Sequence, residues 1–179
     1  MKPPTLIILA SGPGERFRAS GGTTHKLAAI LAGKTVLEHV LAAARASGLP
    51  WHLEEAEHPG MGDSIAAAVA ATRDAPGWLI LPGDLPLIRS ATIRAVAAAL
   101  DSATVVVPTY NAQRGHPVGF AAKCLPALLA LHGQGGAAAI VRAQQALELV
   151  VDDLGCVTDI DTLADLRRAE QLLRETPSG

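Results

Sequence analysis

The run Thr5-Leu6-Ile7-Ile8-Leu9-Ala10 is apolar at nearly every position and then breaks into Ser11-Gly12-Pro13-Gly14. A strand that is apolar on both faces must be covered on both faces, which is the situation of a parallel sheet with helices packed on each side. Trp78-Leu79-Ile80-Leu81 repeats the pattern, as do residues 104–108 and 147–151, each run ending in turn residues.

Helical patterns lie between these runs. Thr35-Val36-Leu37-Glu38 spells a capping box, and Leu37, Val40, Leu41 and Ala44 continue at helical spacing to Ser47-Gly48. Asp63 or Ser64 is expected to cap an alanine-rich helix reaching Thr72, and Ser90 to cap one reaching Leu100. Thr162-Leu163-Ala164-Asp165 is a second capping box, opening a charged amphipathic helix that ends at Glu175. Weaker signals place a strand at 51–55, a turn at 111–115 followed by a return strand at 118–120, and short helices at 126–131 and 136–144. Residues 26–31 read as a short strand, and no helix pattern opens directly behind the first glycines. The alternation predicts an α/β three-layer sandwich with a mostly parallel sheet. One domain is expected over residues 1–175, with a frayed end at 176–179.

Composition narrows the class further. Hydrophobic residues make up 49% of the 179 and aromatics only 3%, so the core is built from Ala, Leu, Val and Ile. The net charge of −2 argues against a nucleic-acid or anionic-membrane partner, which would want a basic surface. No apolar stretch approaches the ~18 residues of a spanning helix, and the start MKPPTLIILA lacks a signal-peptide cleavage pattern, so a cytoplasmic protein is expected. Cys124 and Cys156 are too few for a disulfide framework and lack metal-ligand spacing; they read as small buried hydrophobes.

The glycine turn suits a polyphosphate. Glycine permits the positive-φ conformations that aim successive N–H dipoles inward, and Arg16 and Lys26 supply positive charge nearby. Two better-known phosphate motifs do not fit: the third glycine of GxGxxG would fall on Phe17, and the leading glycine of a Walker A motif on Ala28. In open α/β sheets ligands sit outside the carboxyl ends of the strands, which directs attention to residues 11–26, 60–64, 83–86, 109–117 and 159–161. Asp84, directly behind a buried strand, could hold Mg²⁺ or serve as an ordinary turn aspartate. Asp159 and Asp161 point to one side if their segment is extended, Asp161 being either a second metal ligand or a helix-start carboxylate. His116, in Arg114-Gly115-His116-Pro117, could bind a substrate phosphate, pass a proton, or simply bond backbone in a turn. Gly60-Met61-Gly62-Asp63-Ser64 offers N–H groups and a hydroxyl to an anion or a nucleobase edge, or merely caps its helix. His25 rides beside Lys26 and could lie close to a nucleotide. No GxSxG elbow or cysteine–histidine signature supports nucleophilic hydrolysis.

Taken in order, LASGPGERF…HKL, GKTVLEHVL, GMGDS, GDLP, PTYNAQRGHP and DIDTLADL resemble the MobA-like NTP transferases, and within them the molybdenum cofactor cytidylyltransferase (MocA-like) branch. The resemblance spans nearly the whole chain. It implies a nucleotide-diphospho-sugar transferase (GT-A, Rossmann-like) fold and a nucleotide-binding loop at Ala10, Ser11, Gly12, Gly14 and Arg16, with Lys26 on the phosphates. It further implies nucleotide contacts from Gly62 and Ser64, acceptor contacts from Arg114 and His116, and Mg²⁺ held by Asp84 and Asp161. Arg16, Lys26 and Asp84 would be catalytic. The implied reaction moves a CMP (or GMP) group from CTP (or GTP) to a phosphorylated acceptor such as molybdopterin, releasing pyrophosphate. A sugar-phosphate nucleotidyltransferase is the nearest alternative, and a nucleotide-binding chaperone or regulatory module the alternative from another class. The chain departs from the family pattern at Ser11, where the cytidylyl branch tends to have Ala and the guanylyl branch Gly. It departs also in the longer spacer 18–25 and in the short segment 49–59, where a further strand and helix are expected to be missing.

Overall fold

A computed structural model describes residues 2–175; the frayed end expected at 176–179 lies outside the described residues. In chain order the elements are β1 (Thr5–Leu9), α1 (Glu15–Ala19), β2 (Ile30–Leu31), β3 (Lys34–Thr35), α2 (Val36–Ser47), β4 (Trp51–Glu54), α3 (Met61–Ala71), β5 (Gly77–Pro82) and α4 (Ser90–Ala99). They continue as β6 (Val105–Tyr110), β7 (Gln113–Arg114), β8 (Val118–Ala121), α5 (Leu125–Leu129), α6 (Ala138–Ala143), β9 (Leu147–Val150) and α7 (Leu163–Glu175).

Seven strands form the central sheet in the order β4-β1-β5-β8-β6-β7, with β9 also paired to β6; β2 and β3 make a separate hairpin. β1 runs parallel to β4 and β5, and β6 parallel to β9. β8 is antiparallel to both β5 and β6, and β7 to β6. Most of the sheet therefore points one way, with its carboxyl ends along one edge. From β4 the chain passes directly to α3 through residues 55–60, and β4 lies at the edge of the sheet.

The continuous apolar runs are explained by two cores. Leu6 and Ile8 of β1 face one side, packing with Val40 and Ala44 of α2 and Ile93 and Val96 of α4. Ile7 and Leu9 face the other, with Ile65, Ala68 and Val69 of α3, Leu128 of α5 and Ile140 of α6. Alternate residues of one strand are thus buried on opposite faces. Cys124 and Cys156 are both buried, as expected. A third cluster joins Phe17, Leu27, Leu31, Val36, Ile160 and Ala169, tying the loop behind β1 to the start of α2 and to α7.

Local departures from expectation have long-range causes. A one-turn helix, α1, does follow the glycines, pinned by the fully buried Phe17. Residues 26–28 form a 3₁₀ turn, and only Ile30–Leu31 is extended. α3 starts at Met61 behind Gly60, so neither Asp63 nor Ser64 is its cap; Asp63 instead accepts a hydrogen bond from Gly133 N at 2.9 Å. Arg89, not Ser90, holds the cap position of α4. Its amide donates at 3.0 Å to Asp153, a buried carboxylate that also accepts from Thr92 Oγ1 at 2.6 Å. The capping box at Thr35 is formed as expected: Glu38 N donates to Thr35 Oγ1 and Thr35 N to Glu38 Oε2.

Candidate active site

The loop leaving β1 is held open by its neighbours. Ala10 N donates to Glu54 O at 2.9 Å, and Gly83 N donates to Leu9 O at 2.8 Å, joining the carboxyl ends of β4, β1 and β5. Gly14 turns the chain into α1 at φ +62°, a left-handed conformation that glycine adopts without cost. A side chain at Gly12 would meet nothing within 4 Å, so this backbone is open to a ligand. His25 staples the loop from the opposite side. Its Nδ1 accepts from Leu27 N at 3.3 Å, so the ring proton is on Nε2, which donates to Gly12 O.

Behind this loop the acidic groups converge. Ile160, fully buried, donates its amide to Asp84 O at 2.9 Å and so brings the Asp159–Asp161 segment to the end of β5. One carboxylate oxygen from each of Asp84, Asp159 and Asp161 then falls within 4.8 Å of the others. Lys26 Nζ sits among them, 2.8 Å from Asp84 Oδ2 and 3.2 Å from Asp161 Oδ1, and Arg16 Nη1 reaches Asp161 Oδ2 at 3.0 Å. Burial lowers the pKa of Lys26, but the two carboxylates outweigh it and the net shift is upward. Asp159 is pushed up by partial burial and then by Asp84, Asp161 and Asp165. An all-oxygen set of three carboxylates suits a hard divalent cation such as magnesium.

Of these groups Lys26 and Asp84 line a cleft of about 780 Å³, a size ordinary for a nucleotide-like ligand, while Asp159, Asp161 and the turn residue Gly14 lie outside its lining. Ala10, Ser11, Gly12, Lys26, Ser64 and Asp84 all line it. Ser11 Oγ and Ser64 Oγ meet at 3.0 Å across its floor. Arg16 stands just outside, its side chain 80% exposed.

Three expected site residues are placed differently. Gly62 is buried against the 132–134 loop: its N–H is taken by Gly133 O at 2.8 Å, and a Cβ there would come 2.7 Å from His132 O. Arg114 extends along the sheet edge, its Nε and Nη2 both donating to Glu148 Oε1 on β9 at 2.8 and 2.7 Å. His116 lies where the return strand slips by two residues between its β7 and β8 pairings with β6. Its Nδ1 is buried without a hydrogen-bond partner among the described residues, and burial pushes the imidazole pKa down, an effect the Asp84 charge only partly offsets.

Sequence reasoning missed Arg18 and the wall formed by Glu55, Glu57 and His58. Polar residues directly behind β4 were the available signal, by the same carboxyl-end rule that identified the other loops.

A family model described as the MobA-like NTP transferase domain matches residues 41–148. The bifunctional protein GlmU of Stenotrophomonas maltophilia is 32% identical over 143 residues, covering 66% of this chain and 30% of the relative. The chain thus spans only about a third of the length of such curated relatives. Among solved structures, Rv0371c from Mycobacterium tuberculosis H37Rv superposes with a TM-score of 0.80 at 25% identity, over 95% of this chain and 98% of that one. Molybdopterin-guanine dinucleotide biosynthesis protein A from Archaeoglobus fulgidus superposes with a TM-score of 0.65 at 16% identity, over 96% and 100%. A glycine loop and converging carboxylates at the strand ends, on a fold shared with these proteins and under a matching model over more than half its length, make this chain a member of the MobA-like NTP transferase domain family.

Proposed function

We propose that the protein is a magnesium-dependent nucleotidyltransferase that moves a CMP (or GMP) group from CTP (or GTP) to a phosphorylated small molecule, of which molybdopterin is the first candidate. The observation that carries this reading is the meeting of Asp84 and Asp161 with Lys26 at the mouth of a cleft floored by an open glycine loop. In the reaction an acceptor phosphate oxygen attacks the α-phosphorus, a P–O bond forms, and the bond to the β-phosphate breaks to release pyrophosphate. The acceptor oxygen is already ionised, so no strong base is needed, and rate comes from positioning and charge neutralisation.

Each group of the chain has a part in this. The open backbone at Gly12 and the turn at Gly14 receive the phosphate chain. Lys26 and Arg16 neutralise the leaving pyrophosphate. Asp84 and Asp161, joined by Asp159, would hold magnesium, whose charge supports the phosphate oxygens when bound. The likeness to a structure of Rv0371c in complex with manganese, at 23% identity and a TM-score of 0.75, supports a divalent ion in this fold. His116, half-buried and under the influence of the Asp84 charge, would face the acceptor.

A second reading keeps the site and changes the acceptor to a phosphorylated sugar or polyol. Support for it comes from the fold shared with 2-C-methyl-D-erythritol 4-phosphate cytidylyltransferase from Thermus thermophilus, 20% identical with a TM-score of 0.68. Calorimetric titration with CTP, GTP, ATP and UTP, each with and without Mg²⁺, tests the proposal. Magnesium-dependent binding of CTP or GTP alone is expected. No magnesium-dependent binding of any of the four would remove it.

A further inference from the structure

Lys26 stands where a cation belongs. Its ammonium is in contact with Asp84 Oδ2 and Asp161 Oδ1, and Arg16 covers the remaining oxygen of Asp161. Three of the four oxygens of the two carboxylates assigned above to magnesium, Asp84 Oδ2 and both of Asp161, therefore face the protein's own positive charge. The arrangement is set by the backbone: Lys26 opens a 3₁₀ turn whose next residue, Leu27, is buried in the third core, and the Lys26 side chain is itself only 17% exposed.

Lys26 also lines the cleft, so its ammonium has a second place to go. A phosphate chain entering over Gly12 competes with the carboxylates for Lys26 and Arg16. Each cation it draws off uncovers carboxylate oxygens. Magnesium arriving alone meets a different situation, because it must shed tightly held water and expel a tethered ammonium at once.

We infer that Lys26, assisted by Arg16, is an electrostatic latch on the metal site: it keeps a divalent cation off Asp84 and Asp161 until phosphates draw it away, so that metal enters with the nucleotide and not before it. This rests on the reading of Asp84 and Asp161 as metal ligands. The latch lowers the apparent affinity for free metal by the fraction of molecules in which it is open. For a minor state of about 1–10%, that is a loss of roughly ten- to a hundredfold.

Manganese alone is the probe, titrated by electron paramagnetic resonance into wild type, K26M, K26R and R16Q. K26M keeps the aliphatic stem and removes the charge; it is expected to bind Mn²⁺ about ten- to a hundredfold more tightly than wild type. K26R keeps the charge and should stay near wild type. R16Q alters an exposed side chain and should gain affinity by a smaller factor, which keeps the test decisive should K26M fail to fold. Adding D84N to K26M should abolish the gain. Equal Mn²⁺ affinity in wild type and the uncharged variants overturns the latch, as does a gain that survives D84N. If no variant binds Mn²⁺ even with inorganic tripolyphosphate, the metal reading itself fails and the latch with it.

Discussion

Asp84 divides its work between backbone and side chain. Its carbonyl accepts from Ile160 N and holds the Asp159–Asp161 segment in place, while its carboxylate faces Lys26. The two can be separated by mutation. Asp84→Ala is expected to lower pyrophosphate release by at least about 10²-fold, the scale of losing one electrostatic stabiliser of a transition state. Its melting temperature should stay close to wild type, because the backbone bond is kept and Lys26 still has Asp161. Turnover retained by that variant would sink the mechanism. Gly14 makes a complementary case. Gly14→Ala forces a Cβ onto a residue at φ +62°, at about 1–2 kcal/mol, and deforms the loop that receives the phosphates without touching the carboxylates. Its KM for nucleotide should rise more than its kcat falls; the reverse pattern would move Gly14 out of the binding loop.

At the scale of elements, what could be read in advance follows the distance between partners. The capping boxes at Thr35 and Thr162 are complete within four residues, and both form. The start of α4 is not legible locally, because the partner of its cap, Asp153, lies 64 residues beyond Arg89. Nor is that of α3, whose first turn is organised by the 132–134 loop. Asp153→Ala should therefore cost about 2 kcal/mol or more, since it orphans the Arg89 amide, the Thr92 hydroxyl and the Gly155 amide at one buried point. Denaturant unfolding measures this; a loss within ~0.5 kcal/mol would show that solvent replaces the carboxylate. Asp165, at the start of α7, carries a pH dependence. Burial opposes its ionisation, but hydrogen bonds from the Thr162 hydroxyl and from the Asp161 and Thr162 amides prevail and lower its pKa. A carboxylate depressed in the folded state contributes stability above its unfolded pKa, about 3.9, and loses it as pH falls through the folded value. Asp165→Ala should thus be less stable than wild type by about 1 kcal/mol at pH 7. The gap should close below about pH 4, whereas an equal gap at pH 3 and pH 7 would show that the carboxylate charge is irrelevant.

For the molecule as a whole, the site was legible where a strand ends and illegible where two distant ends meet. The alternation of apolar runs and helices by itself places Ser11, Ser64, Asp84 and Asp161 along the carboxyl-end edge of the sheet. It does not say that Ile160 would be drawn under Asp84, bringing three carboxylates within 4.8 Å, or that the cleft wall would be the link at 55–60. With β4 at the sheet edge, the loop behind β1 is braced by the bond from Ala10 N to Glu54 O, by Ser11 Oγ against Ser64 Oγ of α3, and by His25. Nucleotide with magnesium would bridge the glycine loop, Lys26, Asp84 and Asp161, parts of the chain far apart in sequence, and so should stabilise the entire domain. At a hundred times its dissociation constant a ligand adds about 2.7 kcal/mol, which for a domain of this size raises the melting temperature by roughly 5–10 °C. CTP with Mg²⁺ is expected to give that shift in wild type and none in Asp84→Ala, while Mg²⁺ alone gives none in either. A full shift from CTP without magnesium would mean that Lys26 and Arg16 alone hold the phosphates, and the carboxylates would then need another explanation.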